Sequence, residues 1–217
     1  MADRSVIVLG AGGHAKVVID LLQKLGRSVL AALEPTSPAE ARLLLGVPVA
    51  SEQAALSKHS SESVDLALGV GMPTQDPIAG LAARRVLAAQ YVARGYRFPP
   101  LVHPGAVVGA DCALGQGAQI MAGAVVQPGS AIASFAIVNT GACVDHDCVL
   151  GEGCHVAPGA TIGGTVRVGR ESLIGIGATV LQGVAIGDRV LIAGGAMVID
   201  SVADDERRLG VPARGAR

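Results

Sequence analysis

The chain has 217 residues, a formal net charge of −1 and a sequence pI near 6.5, which excludes the basic surface of a nucleic-acid-binding protein. Half of its residues are apolar, yet it has two Phe, two Tyr and no Trp, so the core must be built from Val, Ile, Leu and Ala. The apolar runs are short and cut by Gly, too short to span a bilayer or to form a signal peptide at the start, and the four cysteines read as reduced thiols of a cytoplasmic protein.

Residues 4 to 9, "RSVIVL", predict a buried strand, Gly10 to His14 a tight turn, and Ala15 to Leu25 a helix. "SVLAALE" predicts a second strand ending at Glu34, Ser63 to Gly71 a third, and Ala79 to Arg94 a helix before the linker "GYRFPP". This is βαβ patterning with a small parallel sheet of three or four strands, and it defines a first domain over residues 1–98. Gly10-Ala11-Gly12-Gly13-His14-Ala15 fits G-x-G-x-x-A, a turn that brings phosphate to a helix N-terminus. A full dinucleotide fold needs two mononucleotide-binding halves, and only one fits here, so the reading is one nucleotide or a bare turn. Glu34, followed by Pro35, is expected to be a solvated loop acid, and Arg84 and Arg85 to lie on a solvated helix face. Pro73 and Pro77 interrupt the segment after the third strand.

From Val102 onward a repeat of six runs without insertion. All 17 positions from Val102 to Val198 are Val, Ile or Leu, and four residues after each stands a compact one such as Ala106, Ala118, Ser130, Cys148 or Cys154. A period of six does not suit an amphipathic helix. It suits short strands with a turn after each, three hexads forming an 18-residue triangular coil, and coils stacking at about 4.8 Å into a parallel β-helix roughly five coils tall. Aliphatic and compact positions point inward, and the Gly that often follows the aliphatic residue, as at Gly109, Gly115, Gly151 and Gly163, is expected to supply the corner conformation. This second domain covers residues 99–217.

Chemistry enters where the repeat turns polar. The residue after the aliphatic position is usually Gly or Ala, but it becomes Met121, Gln127, Asn139 and Asp145, followed by His146, Asp147 and, nine residues on, His155. Imidazole beside a carboxylate is a general base whose tautomer is held by the acid; a surface-turn histidine between solvated aspartates is the plainer alternative. Cys148 beside His146 allows an acyl-enzyme, but its phase in the repeat points it into the prism and favours direct transfer. His103-Pro104 reads as a cap on the first coil, and His59 has no visible role.

The period does not set the hand of the β-helix, and parallel crossovers are generally right-handed. The unbroken hexapeptide array, however, resembles the left-handed β-helix acyltransferases. Within them, "VIVLGAGGHAKVVIDLL", "VHPGAVVG", "NTGACVDHDCVLGEGCHVAPGA" and "GVPAR" resemble one subfamily, containing sialic acid O-acetyltransferases and N-acetyltransferases of nucleotide-linked 4-amino-dideoxy sugars such as those of bacillosamine and perosamine pathways. The resemblance implies a Rossmann-like domain that binds the nucleotide sugar through Gly12, Gly13 and His14, and a left-handed β-helix that binds acetyl-CoA. It implies His146 as base, Asp147 as the orienting acid, Asn139 positioning the sugar or base, and Asp145 facing substrate. It implies His155 beside the acetyl group, Gly164 offering a backbone N–H to the oxyanion, pantetheine near Gly164, Ile176 and Gly194, and Arg214 toward a CoA phosphate. A homotrimer without metal is implied as well. The activity expected is N-acetylation of a nucleotide-linked 4-amino-4,6-dideoxy sugar; the alternatives are sugar O-acetylation of the sialic acid type and a trimeric nucleotide-binding module without catalysis.

Overall fold

Seventeen two-residue strands recur every six residues from Leu101–Val102 to Met197–Val198. The structure, a computed structural model, describes residues 4–35, 41–72 and 75–215; Pro73 lies outside them. Strands 18 residues apart pair in parallel, Val102 with Ile120, Val126 with Val144 and Ile132 with Leu150, so three flat faces wind into a left-handed parallel β-helix. The first face begins with Leu101–Val102, the second with Val107–Val108 and the third with Ala113–Leu114. The aliphatic and compact positions form one buried core running the length of the prism. Each buried Val, Ile or Leu contributes about 1.5–3 kcal/mol of burial free energy. The first face ends in Arg207–Leu209, which pairs antiparallel with Arg214–Gly215.

The glycines that follow the aliphatic residue have a different reason from the one expected. Gly109, Gly115, Gly151 and Gly163 do not carry the left-handed corner. A Cβ on any of them would stand within 2.7 Å of a backbone nitrogen of the next coil. They permit close stacking, whereas the positive φ falls two residues later, on Asp111, Gly117, Gly153 and Thr165.

The N-terminal part is an α/β unit. It comprises β1 (Ser5–Leu9), α1 (Gly13–Lys24), β2 (Val29–Glu34), β3 (Leu43–Leu44), β4 (Val47–Ser51), α2 (Glu52–Leu56), β5 (Val64–Leu68) and α3 (Pro77–Ala93). Its sheet order is β3-β4-β2-β1-β5. The expected strands and long helices are present, but the sheet has five strands, not three or four, and its edge is not parallel: β3 and β4 form an antiparallel hairpin through Leu45 (φ 51°) and Gly46 (φ 81°). Two residues of β3 and a proline inside β4 left too short a pattern for sequence to register. α1 buries Ala15, Val18, Ile19 and Leu22, spaced by three and four. Gly10 (φ 110°) passes so close to Gly69 that a Cβ would lie 2.9 Å from its carbonyl. α3 starts on Pro77, with the Asp76 carboxylate accepting from the Ala79 N–H at 3.1 Å.

The unit docks on the first face. The outward residues of that face, Leu101, Gln119, Ile137, His155 and Leu173, are all buried. The same hexad position elsewhere, at Val107, Thr161, Thr179, Ala113, Val149 and Arg167, is exposed. Leu101, Met121 and Ile137 join the core of α1, Phe135 meets Phe98 edge to face at 5.4 Å between centroids, and Leu173 meets Leu81 of α3. This docking overturns the solvated reading of Arg84 and Arg85. Arg84 is 1% exposed and donates through Nη1 to the Phe135 carbonyl, and burial pushes its pKa down to about 10. Arg85 pairs with the buried Glu171 of the β-helix. Glu34 is not a free loop acid either, since it ends β2 and pairs with Arg42.

Candidate active site

The docked domains form an open cleft of about 800 Å³ between α1, the segment after β5 and one corner of the β-helix. Gly13, His14 and Val17 line one side, Gly71 and Met72 another, and Asn139, Thr140, His155 and Pro158 the floor. Gly12 and Gly13 have no left-handed φ, and a Cβ on either would meet nothing within 4 Å. Neither packing nor backbone demands glycine there, and the pair leaves the helix N-terminus open to a ligand.

The hydrogen-bond network assigns the tautomers of both pocket histidines. Gln119 donates through Nε2 to the Leu68 carbonyl at 2.8 Å, so its Oε1 accepts from His14 Nε2–H at 2.9 Å and His14 Nδ1 is the unprotonated nitrogen. Asn139 Oδ1 accepts from the Thr140 N–H at 2.8 Å, so its Nδ2 donates to His155 Nε2 at 2.9 Å. The His155 proton therefore sits on Nδ1, which is buried with no partner among the described residues. Burial holds both imidazoles neutral. His14 falls to about 4, with Arg84 adding to the effect and the Gln119 bond opposing it; His155 falls to about 3, with His14 and Arg84 adding to it.

His146 stands elsewhere. It occupies the corner between the second and third faces, one hexad beyond the corner of Thr140. Its side chain is 57% exposed, and Nδ1–H donates to Asp147 Oδ2 at 2.9 Å. That bond and the charge of Asp145 raise its pKa. Nε2 is left as an unpaired lone pair, the arrangement of a base with an orienting acid. Asp145 Oδ1 accepts from the His146 backbone N–H at 2.8 Å, which shapes the corner, and the residue is exposed. Thus the structure unites His14, Asn139 and His155, unites Asp145, His146 and Asp147, and keeps the two groups on opposite edges of the second face.

Gly164 lies directly above His146 on the next coil, where a Cβ would be 2.6 Å from Nε2. Ile176 and Gly194 stack on the other corner, above Thr140 and Pro158; both are exposed, and a Cβ at 194 would be 3.2 Å from the Ile176 carbonyl oxygen. Arg214 is exposed in the terminal strand. Cys148 is buried with Sγ toward the Gly163 carbonyl at 3.2 Å, and burial raises its thiol pKa, against a thiolate nucleophile. His103 Nδ1 accepts from the Gly105 N–H at 2.9 Å, capping the first coil. No cluster of His, Cys, Asp or Glu able to hold a metal occurs among the described residues.

Sequence reasoning missed Gln119 and the pocket residues Val17, Met72, Thr140 and Pro158. Gln119 had a readable signal. On every third hexad the residue before the aliphatic one is large, giving Leu101, Gln119, Ile137, His155, Leu173 and Leu191, and that row marks the covered face.

The fold and the site together define an acyltransferase of the left-handed β-helix class. The PglD N-terminal domain family matches residues 5–75. The acetyltransferase domain of PglB from Neisseria gonorrhoeae, also solved with acetyl coenzyme A, is 35% identical, with a TM-score of 0.88 over 99% of this chain and 100% of that one. PerB from Caulobacter crescentus, solved with CoA and GDP-perosamine, is 36% identical, with a TM-score of 0.86 over 98% of this chain and 97% of that one. WeeI from Acinetobacter baumannii, at 24% identity and a TM-score of 0.85, shares the fold over 98% of this chain and 100% of its own. No curated protein matches the chain. The chain belongs to the PglD-type family of sugar N-acetyltransferases, enzymes that use acetyl-CoA.

Proposed function

We propose that the enzyme acetylates the amine of a nucleotide-linked 4-amino-4,6-dideoxy sugar, with His146 as general base. The carrying observation is the His146 tautomer: Nδ1–H is held by Asp147, and Nε2 of this exposed side chain has no hydrogen-bond partner among the described residues. The neutral amine attacks the thioester carbonyl carbon of acetyl-CoA, and Nε2 takes the proton that the amine loses. The tetrahedral intermediate then expels the CoA thiolate, which recovers that proton from the imidazolium. We assign a backbone N–H near Gly164, beside the ring, to the oxyanion. The nucleotide end of the sugar fits the opening at Gly12 and Gly13, with His14 Nδ1 as acceptor and Asn139 and His155 below. Pantetheine follows the exposed corner of Ile176 and Gly194, and Arg214 meets a CoA phosphate. GDP-perosamine in the Caulobacter structure supports this substrate class.

The second face separates the pocket from the dyad within one chain. We therefore assign the complete site to a homotrimer, in which the dyad corner of one subunit faces the pocket corner of the next. Its residues between the two corners, Cys143, Thr161 and Thr179, are small enough for such an approach. No helix among the described residues is long and apolar enough to cross a membrane, and the four free cysteines fit a cytoplasmic enzyme.

The test is turnover of acetyl-CoA with GDP-, UDP- and dTDP-linked 4-amino-4,6-dideoxy sugars, beside free sialic acid, with light scattering on the same sample. Amine acetylation by a trimer is expected. Turnover of sialic acid alone would move the assignment to O-acetylation, binding of nucleotide without turnover would make the chain a binding module, and a fully active monomer would overturn the shared site.

A further inference from the structure

The corner positions of the β-helix form an internal control, because the same backbone site recurs every six residues with different side chains. The left-handed corner carries Asp111, Phe135, Thr165, Glu171 and Arg189 at φ between 55° and 60°, so that conformation does not itself require glycine. Gly129 occupies such a corner (φ 76°), and a Cβ there would come closer than 3.0 Å to Asp147 Oδ1 on the next coil. The position just before the corner has no positive φ and holds Ser134, Thr140, Glu152, Arg170 and Gln182 elsewhere. Gly164 occupies one of these, and a Cβ there would stand 2.6 Å from His146 Nε2, 2.8 Å from Cε1 and 3.1 Å from Cδ2. Both clashes are with the dyad. Gly141, at another left-handed corner, would meet nothing within 4 Å, and Gly123 nothing nearer than 3.9 Å.

We propose that Gly129 and Gly164 are positioning residues, a two-glycine cradle in which the coil below seats the Asp147 carboxylate and the coil above seats the His146 ring. The repeat tolerates side chains at both kinds of position; glycine also fills corners that face no dyad atom, such as Gly123, Gly141 and Gly177, and Gly117 faces Phe135, so what sets Gly129 and Gly164 apart is that a Cβ on either would meet the dyad itself. The cradle deepens the general-base reading and rests on it for its catalytic consequence, but its geometric content stands apart. His146 is exposed, so core packing does not hold its ring, and the Asp147 bond together with the flat Gly164 surface restricts where Nε2 points. A methyl at 164 turns the ring off that surface, and a methyl at 129 lifts the carboxylate from Nδ1. The charged groups facing the ring are Asp145 and Asp147.

The experiment is nitrogen-15 NMR of the His146 ring across pH, with kcat and KM, for Gly164→Ala, Gly129→Ala, Gly123→Ala and Asp147→Asn. Gly164→Ala adds no backbone strain, since its φ is not positive, and Gly123→Ala carries the left-handed strain without a clash. In the wild type and Gly123→Ala, Nδ1 should carry the proton and the ring should titrate above its ordinary value. In Gly164→Ala and Gly129→Ala the titration should fall toward that of Asp147→Asn, and kcat should drop on the order of 10²-fold, the cost of misplacing a catalytic group by about 1 Å. Unchanged His146 titration and tautomer in both variants would overturn the cradle. So would a Gly164→Ala effect confined to the KM of acetyl-CoA, which would assign that glycine to the co-substrate's approach. A shifted titration with kcat intact in both the glycine variants and His146→Ala would support the cradle and refute His146 as base, so the two readings fail separately.

Discussion

The two edges of the second face carry the same side chain in opposite states. On one side, His155, on the strand of the first face, is buried under the N-terminal domain, accepts from Asn139 and is driven down to about 3. On the other, His146 is exposed, donates to Asp147 and is driven up. Nine residues of chain separate an imidazole that burial holds neutral from one whose carboxylate partner favours the protonated ring. Desolvation decides the first and a carboxylate decides the second. The docked domain, more than the local sequence, makes the difference, because without that cover the outward position of His155 is as open as that of Thr161 or Thr179.

Removing the exposed member tests the contrast most strongly. His146→Ala should lower kcat by about 10²–10⁴-fold with little change in acetyl-CoA binding, read as CoA thiol release and by titration calorimetry. Asp147→Asn should cost less and should move the alkaline-rising limb of the rate to lower pH, because the carboxylate raises the pKa of the base. Loss of that limb in His146→Ala separates it from titration of the sugar amine. Near wild-type turnover in His146→Ala would make the exposed site the structural one and would turn attention to His155.

The buried side should show itself in acid. His14 and His155 titrate near 4 and 3 in the folded chain, below the usual 6.5, so the unfolded chain binds protons first as pH falls. Their contribution is complete above about pH 6.5 and should be lost at about 1.4 kcal/mol per pH unit for each histidine as pH falls toward those values. Urea midpoints between pH 8 and 5 should record this slope. His14→Gln should reduce it, and His146→Ala should not, since a histidine whose pKa is raised by folding adds stability as pH falls and its removal can only steepen the slope; a slope indifferent to His14→Gln would place the acid sensitivity elsewhere.

Gln119→Leu should destabilise by about 1–3 kcal/mol, since it strips partners from both His14 Nε2–H and the Leu68 carbonyl in a buried place. The smallest effect belongs again to the exposed corner. Asp147→Asn should change stability by no more than about 0.5 kcal/mol while it slows the reaction, and thermal melts of the two variants side by side would read the contrast directly. A large loss of stability in Asp147→Asn would mean that the dyad also holds the coil together.

Most of the β-helix was legible because its restraint is one-dimensional. Each hexad needs one aliphatic and one compact residue inward, and Val102 through Val198 state that rule without a break. The long elements β1, α1, β2, β5 and α3 were legible from period and length. The hairpin of β3 and β4 was not, because two residues make no period. Among site residues, His146 and Asp147 were legible as neighbours in sequence whose bond is local. The Gln119–His14 pair spans 105 residues and joins two domains, so no spacing announces it.

By itself the sequence determined the prism and the βαβ unit before it, because each follows from a pattern that recurs at fixed short intervals; it set His146 between two neighbouring acids, and the hydrogen bond to Asp147 picked one of them. The tertiary structure decided which face of the prism is covered. By covering the first face it buried Arg84 and His155, fixed the tautomers of His14 and His155, and formed an open cleft lined by the two histidines. It also set that pocket one face away from the dyad. These properties depend on desolvation by a domain distant in the chain, and burial is a property of what lies on top of a residue, which its own neighbours in sequence do not encode.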